Sequence, residues 1–427
     1  MLKKTVLKNG LRLVTFPMEN TKAVTILLLV GTGSKYETKR VNGISHLLEH
    51  MVFKGTKKRS NTTVIARELD RVGGAYNAFT DKEITGFWIK VQSEHLDLAL
   101  DVLSDMIFNS LFEEHKLEKE KKVIIEEINM IKDVPQNQVF NLWEELLYGD
   151  QPAGWMISGE KETVNNISRK DILNYLRNQY VAENVVVALA GNFSEKEIIP
   201  KIKKFFGKFK KNKPLPKKPV REIQKFPNLL LEFKETDQTH LCLGVRTFNL
   251  FSPRRHSLEV LATVLGGIMS SRLFIKVREN KGLAYYIRTI NQFYIDSGYL
   301  VTSAGIDNKR ILEAIEIILK EYKNLKEKKI TKLELETAKA HLKGNLWLGL
   351  ETSDSWASYF GAQEIFKEKI LTPEEKCRQI DKISQGDILK IAQDIFQPEK
   401  LNLALIGPFK EKEKFQKILK YDQSKKP

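Results

Sequence analysis

Ile167-Ser168-Arg169-Lys170-Asp171-Ile172-Leu173 returns 216 residues later as Ile383-Ser384-Gln385-Gly386-Asp387-Ile388-Leu389. Val187-Ala188-Leu189-Ala190-Gly191-Asn192-Phe193 returns at the same offset as Leu403-Ala404-Leu405-Ile406-Gly407-Pro408-Phe409. VTILLLVGTG from Val24 matches HLCLGVRTFN from His240, again 216 residues on. Three blocks in one order at one offset mark a duplication. The chain therefore reads as two copies of one α+β unit of about 200 residues. Between them lies FGKFKKNKPLPKKPVREIQKFPN, with Pro214, Pro216, Pro219 and Pro227 among seven lysines. Prolines and like charges oppose compact structure, so this stretch is expected to be an extended linker. The expected division is residues 1–205, a linker at 206–228, and residues 229–427.

Strand and helix patterns alternate within the first copy. Apolar runs predict strands at 23–30, 75–80, 85–91 and 185–190. Helical periodicity is expected at 43–53, 63–72, 95–109 and 113–131. The start, MLKKTVLKNGLRLVTF, reads as strand, Asn9-Gly10 turn and strand, with no apolar segment of the signal-peptide kind. Hairpins beside helices predict α+β domains with mainly antiparallel sheets.

Composition narrows the class. Of 427 residues, 42% are hydrophobic and 29% charged, which suits a folded globular chain rather than a disordered one. The most apolar run, Val24 to Val30, is far short of the ~20 residues of a membrane-spanning helix. Cys242 and Cys377 are the only cysteines, too few for a disulfide framework or thiolate metal site. Their scarcity suits a reducing compartment, and a cytoplasmic location is expected. The net charge is +16, but lysines are mixed with glutamates throughout, as in LEKEKKVIIEE. That pattern describes solvated helix faces, so neither nucleic acid nor membrane is an expected partner.

The chemistry concentrates in His46-Leu47-Leu48-Glu49-His50. HxxEH is expected on the order of 0.01 times by chance in a chain of this composition, so coincidence explains it poorly. On a helix, Ile44, Leu47, Leu48 and Met51 share one face, while His46, Glu49 and His50 gather near the other. Histidines four apart can bind one metal ion from successive turns. The order reverses HExxH and is the inverzincin motif, whose glutamate handles protons rather than binding metal. A catalytic zinc usually takes three protein ligands. The helix LEKEKKVIIEEINMI offers Glu120, Glu126 and Glu127. Glu120 and Glu127 lie seven apart, within the arc of Leu117, Ile124, Ile128 and Ile131, and Glu126 points about 100° away. An inward carboxylate needs a partner, and zinc supplies one for Glu127. Glu120 is expected to support the site from behind the ligands.

On these residues the chain resembles the pitrilysin-type (M16) zinc peptidases, which include insulin-degrading enzyme and the mitochondrial processing peptidase. NGISHLLEHMVFKGT is similar to that family's most recognisable block. The resemblance implies a third ligand about 75 residues after the second histidine, which fits Glu127, and an accompanying glutamate seven residues earlier, Glu120. Gly73-Gly74-Ala75-Tyr76-Asn77-Ala78-Phe79-Thr80 resembles the family's substrate-binding edge strand, implicating Gly74, Ala75, Asn77 and Ala78. There an extended peptide adds as one more strand. Arg278-Glu279-Asn280-Lys281-Gly282-Leu283-Ala284-Tyr285 resembles an arginine–tyrosine pair that stabilises the oxyanion and holds substrate.

The second copy has no HxxEH. Ala262, Leu265 and Gly266 stand near the positions of His46, Glu49 and His50. His95, His115, His240, His256 and His341 lack ligand spacing and read as structural or surface residues. The resemblance implies a zinc endopeptidase with one Zn2+ per chain and the half-clamshell fold of insulin-degrading enzyme. Its expected substrates are peptides or unfolded segments. Larger members join four such domains around a chamber, so a two-domain chain is expected to form a homodimer, or a heterodimer with a homologous subunit.

Overall fold

The computed structural model describes residues 2–420. They form two compact units. The first runs to Asn129 and adds Trp155–Lys218 and Leu348–Leu371. The second comprises Met130–Gly154, Pro219–Trp347 and the chain from Thr372 onward.

The first unit holds a six-stranded sheet of β1 (Lys3–Val6), β2 (Arg12–Pro17), β3 (Ala23–Val30), β4 (Ala75–Thr80), β5 (Thr85–Gln92) and β6 (Val185–Gly191). Its order is β1-β2-β6-β3-β5-β4. The second holds five strands: β7 (Asn228–Phe233), β8 (Gln238–Arg246), β9 (Ala284–Phe293), β10 (Gly298–Asp307) and β11 (Leu401–Gly407). Their order is β7-β11-β8-β10-β9. Each sheet has one parallel pair, β2–β6 or β7–β11, and is otherwise antiparallel. Without β1 the two orders are the same, strand for strand. This is the expected α+β class, and the duplication extends to local detail. Helices Arg169–Gln179 and Gln385–Ile395 each open with a reciprocal Ser–Asp capping box.

Strands β3 and β6 are almost wholly apolar because both of their faces are covered. Val24, Ile26, Leu28 and Val30 of β3 join the main core of the first unit. Leu27 and Leu29, on the opposite face, pack with Ala188, Ala357 and Phe360. That second cover is the helix Ser353–Ile365, which comes from the far part of the chain. The second unit is built the same way. Helix Pro135–Tyr148, from the first half of the sequence, packs Val139 and Trp143 against Cys242, Val301 and Ala404. The compact units therefore interleave in sequence, whereas the repeat points to a cut at the linker. The helix Pro135–Tyr148 is amphipathic, which does not say which sheet it covers, and Ser353–Ile365 carries no apolar stripe in its sequence.

Residues 207–227 carry no helix or strand. Within the first unit the Gln179 side-chain amide donates to the Leu215 carbonyl at 3.2 Å. Within the second the Val220 N–H donates to Asp296 at 2.9 Å. No helix among the described residues is long and apolar enough to cross a membrane.

Candidate metal centre

Three devices fix the helix Ile44–Val52. Gly43 precedes it with φ +97°, and a Cβ there would lie 2.6 Å from the Ser158 carbonyl oxygen, so only glycine fits. The buried Glu37 carboxylate accepts the N–H groups of Gly43 at 2.7 Å and Ser45 at 2.8 Å, and the Asn42 amide at 2.9 Å. A carboxylate there satisfies orphan donors and complements the helix dipole. Burial pushes the Glu37 pKa up, and its hydrogen bonds from Ser45, Asn42 and Gly43 pull the other way. On the inner face the Ser45 hydroxyl pairs with Tyr175 at 2.7 Å, which pairs in turn with Thr32 at 2.7 Å.

Ile44, Leu47, Leu48 and Met51 are buried, as the helical pattern requires. His46, Glu49 and His50 take the other face and are part-buried. The Nε2 atoms of His46 and His50 lie 3.2 Å apart. Helix Glu114–Asp133 brings Glu127 Oε2 to 3.7 Å from His46 Nε2 and 3.8 Å from His50 Nε2. Three ligands at ~2.0–2.1 Å in tetrahedral directions stand roughly 3.3–3.4 Å apart, so this triangle fits a zinc-sized ion. His46, His50 and Glu127 are the group of metal-capable side chains that converges among the described residues.

Protonation supports the same fit. His50 Nδ1 lies 2.8 Å from Glu120 Oε1, which assigns the proton to Nδ1 and leaves the Nε2 lone pair facing the triangle. Burial and the neighbouring His50 hold the His46 pKa down to about 4, against a smaller upward pull from Glu120. His46 is therefore neutral at pH 7, with a nitrogen free for metal. Its Nδ1 is buried and makes no hydrogen bond among the described residues. Glu120 also receives Lys54 Nζ at 2.8 Å. Burial would raise the Glu120 pKa, but the bonds from His50 and Lys54 outweigh it and hold the carboxylate ionised. Glu120 thus touches a ligand and stands behind the triangle. Glu126 is exposed and bonds Asn129 on its own helix.

Glu49 Oε2 accepts the Thr80 hydroxyl at 2.6 Å. Burial raises the Glu49 pKa, the Thr80 bond and His50 lower it, and Glu127 raises it. Thr80 ends β4, whose only strand partner among the described residues is β5, so one backbone edge of β4 is open next to this group. Ala75, Asn77 and Phe79 alternate as the exposed positions. Asn77 Oδ1 accepts the Ala78 N–H at 2.8 Å. Gly74 lies before the strand, and its N–H is bonded to the Leu69 carbonyl at 2.9 Å. Gly73, at φ +64°, turns the chain between the preceding helix and Gly74.

In the second unit Arg278 sits on the helical segment Phe274–Glu279 and Tyr285 near the start of edge strand β9. The Arg278 guanidinium lies 5.9 Å from the centre of the Tyr285 ring. The β9–β10 register skips Tyr285, passing from Ala284–Ile306 to Tyr286–Gly305. A bulge re-aims the extra residue, and Tyr285 is 76% exposed. His240 and His256 bond Tyr286 and Glu259.

Two signals escaped the spacing rules. Glu37 lies well before the helix it caps, and Thr80 carries its hydroxyl at the end of an ordinary strand.

Comparison with known proteins finds two profiles of one family along the chain. The family profile "Insulinase (Peptidase family M16)" covers residues 12–161 and "Peptidase M16 inactive domain" covers residues 166–342. "Uncharacterized zinc protease YmxG" of Bacillus subtilis is 40% identical over 96% of this chain and 98% of its own. An "uncharacterized zinc protease" of Mycobacterium leprae is 34% identical over 96% of this chain and 92% of its own. A crystal structure of a Helicobacter pylori protease shares the fold with a TM-score of 0.89 and 24% identity, covering 96% of this chain and 99% of that one. The chain belongs to the M16 peptidase family, with an M16 peptidase domain first and the family's second domain after it.

Proposed function

We propose that this protein is a zinc endopeptidase acting on peptides or unfolded segments, with one zinc per chain. The observation that carries the reading is the triangle of His46, His50 and Glu127 with the part-buried Glu49 beside it. Zinc supplies Lewis-acid chemistry there, making water acidic near neutral pH and polarising a peptide carbonyl. Glu49 takes the proton from the attacking water and returns it to the leaving amine. The open edge of β4 receives the substrate as an added strand at Ala75, Asn77 and Ala78, where main-chain hydrogen bonds tolerate many sequences. For that addition Asn77 gives up its own bond to the Ala78 N–H. Arg278 and the exposed Tyr285 phenol donate to the developing oxyanion and hold the substrate backbone. Work inside a closed chamber of two such chains, in a reducing cytoplasm, completes the reading. It is supported by the family resemblance and by the paucity of cysteine.

The test combines metal content with hydrolysis of a quenched-fluorescence peptide. Purified protein should hold one zinc, and a chelator should abolish hydrolysis. Glu49→Gln should keep the zinc and lose about 10²–10⁴-fold in turnover. Near-normal turnover in zinc-loaded Glu49→Gln protein would remove Glu49 from its role. Chelator-resistant hydrolysis would remove the metal from the reaction.

A further inference from the structure

We propose that Thr80 is a positioning residue that holds the Glu49 carboxylate away from the metal ligands. Its catalytic consequence rests on the peptidase reading above; its consequence for metal release does not.

Glu49 lies on the same helix face as His46 and His50, part-buried beside them. A flexible carboxylate beside a divalent cation has a competing option, which is to bind the cation itself. That would occupy the position a catalytic zinc must keep open for water. The 2.6 Å bond from Thr80 to Oε2 opposes this. It is a short hydroxyl–carboxylate contact, of the stronger, charge-assisted kind. It also commits one oxygen and leaves the other for a water proton.

Thr80 is well placed for the task. Its β-branched side chain has few rotamers. Its backbone pairs with Thr85 of β5, whose hydroxyl donates to the Thr32 carbonyl at 2.9 Å. The hydroxyl is thus presented by a fixed sheet and not by a loop. The strand that would receive substrate is also the strand that aims the base. If Thr80 were only a packing residue, valine would serve equally well, because it has the same shape and a high strand propensity.

The experiment uses the full-length zinc protein and compares Thr80→Val, Thr80→Ser and wild type, each alone and with Glu49→Gln. Thr80→Val should lower kcat roughly 10- to 100-fold with KM nearly unchanged, and Thr80→Ser should restore most of it. Zinc release to a chelator should slow several-fold in Thr80→Val, because Glu49 then gains the metal. With Glu49→Gln in place, Thr80→Val should change neither release nor residual activity beyond about twofold. Unchanged or faster zinc release in Thr80→Val overturns the proposal, as does a serine variant no better than valine. If the wild-type protein cleaves no peptide, the peptidase reading fails on its own, and the release measurements still decide the role of Thr80.

Discussion

Glu120 makes two contacts that bear on His50. It accepts the Nδ1 proton at 2.8 Å and is itself held by Lys54 at 2.8 Å. The first contact fixes the imidazole tautomer, and the second keeps the acceptor charged. Loss of such an outer partner typically costs 10–100-fold in metal affinity. Glu120→Gln should therefore weaken zinc binding by about that factor without abolishing it. Glu127→Gln should strip the metal, and Glu126→Gln, altering an exposed side chain, should leave binding unchanged. Competition with a chromophoric chelator ranks the three. If Glu126→Gln lost zinc while Glu127→Gln kept it, the ligand assignment would fall. The choice between Glu126 and Glu127 was readable because azimuth on a helix follows from spacing alone. Glu37 and Thr80 were not readable, because their partners are near in space through turns and sheet edges that no period encodes.

Among elements, the helix Ser353–Ile365 approaches its sheet through Gly361. A Cβ at that position would stand 2.9 Å from Leu29 Cδ1 and 3.0 Å from Ala188 Cβ. Alanine gains about 1 kcal/mol of helix propensity, and the Leu29 side-chain end can yield, so Gly361→Ala should be near neutral. Gly361→Leu should cost about 2 kcal/mol through overpacking. For a unit of this size that is a fall of roughly 4–8 °C in Tm, measurable by calorimetry. Equal melting of the two variants would mean that the helix does not sit this close. The twin capping boxes add a pH-dependent test. Hydrogen bonds from the Ser384 side chain and backbone lower the Asp387 pKa. A lowered carboxylate pKa stabilises the fold above its unfolded value near ~4, and the benefit is lost as pH falls through the folded value. Asp387→Asn should therefore destabilise at pH 7, and the difference from wild type should shrink below pH ~4. A gap that widened on acidification would contradict the bond. The strands were legible because burial on two faces writes apolar runs. The crossing helices were not, since the stripe of Pro135–Tyr148 names no partner and Ser353–Ile365 has no stripe at all.

At the scale of the molecule, the proposed chemistry is divided. His46, Glu49, His50 and Glu127 belong to the first compact unit, and Arg278 and Tyr285 to the second. The duplication accounts for such a division, because the two copies of one unit carry different candidate residues. The resemblance implies a chamber enclosed by four such domains, of which this chain would supply two. A two-fold dimer would close the chamber and set one subunit's Arg278 and Tyr285 against the other subunit's metal, giving two equivalent composite sites. Complementation distinguishes this from a site formed within one chain. Glu49→Gln and Tyr285→Phe proteins should each be nearly inactive as pure dimers. In a mixed dimer, the site joining the intact Glu49 of one subunit to the intact Tyr285 of the other is whole. At statistical exchange about half of the dimers are mixed, each with one such site of two, so activity should recover to roughly a quarter of wild type. Subunit exchange is followed independently by mass-tagged chains. No recovery despite complete exchange, or full activity in a demonstrated monomer, would place Arg278 and Tyr285 with the metal of their own chain.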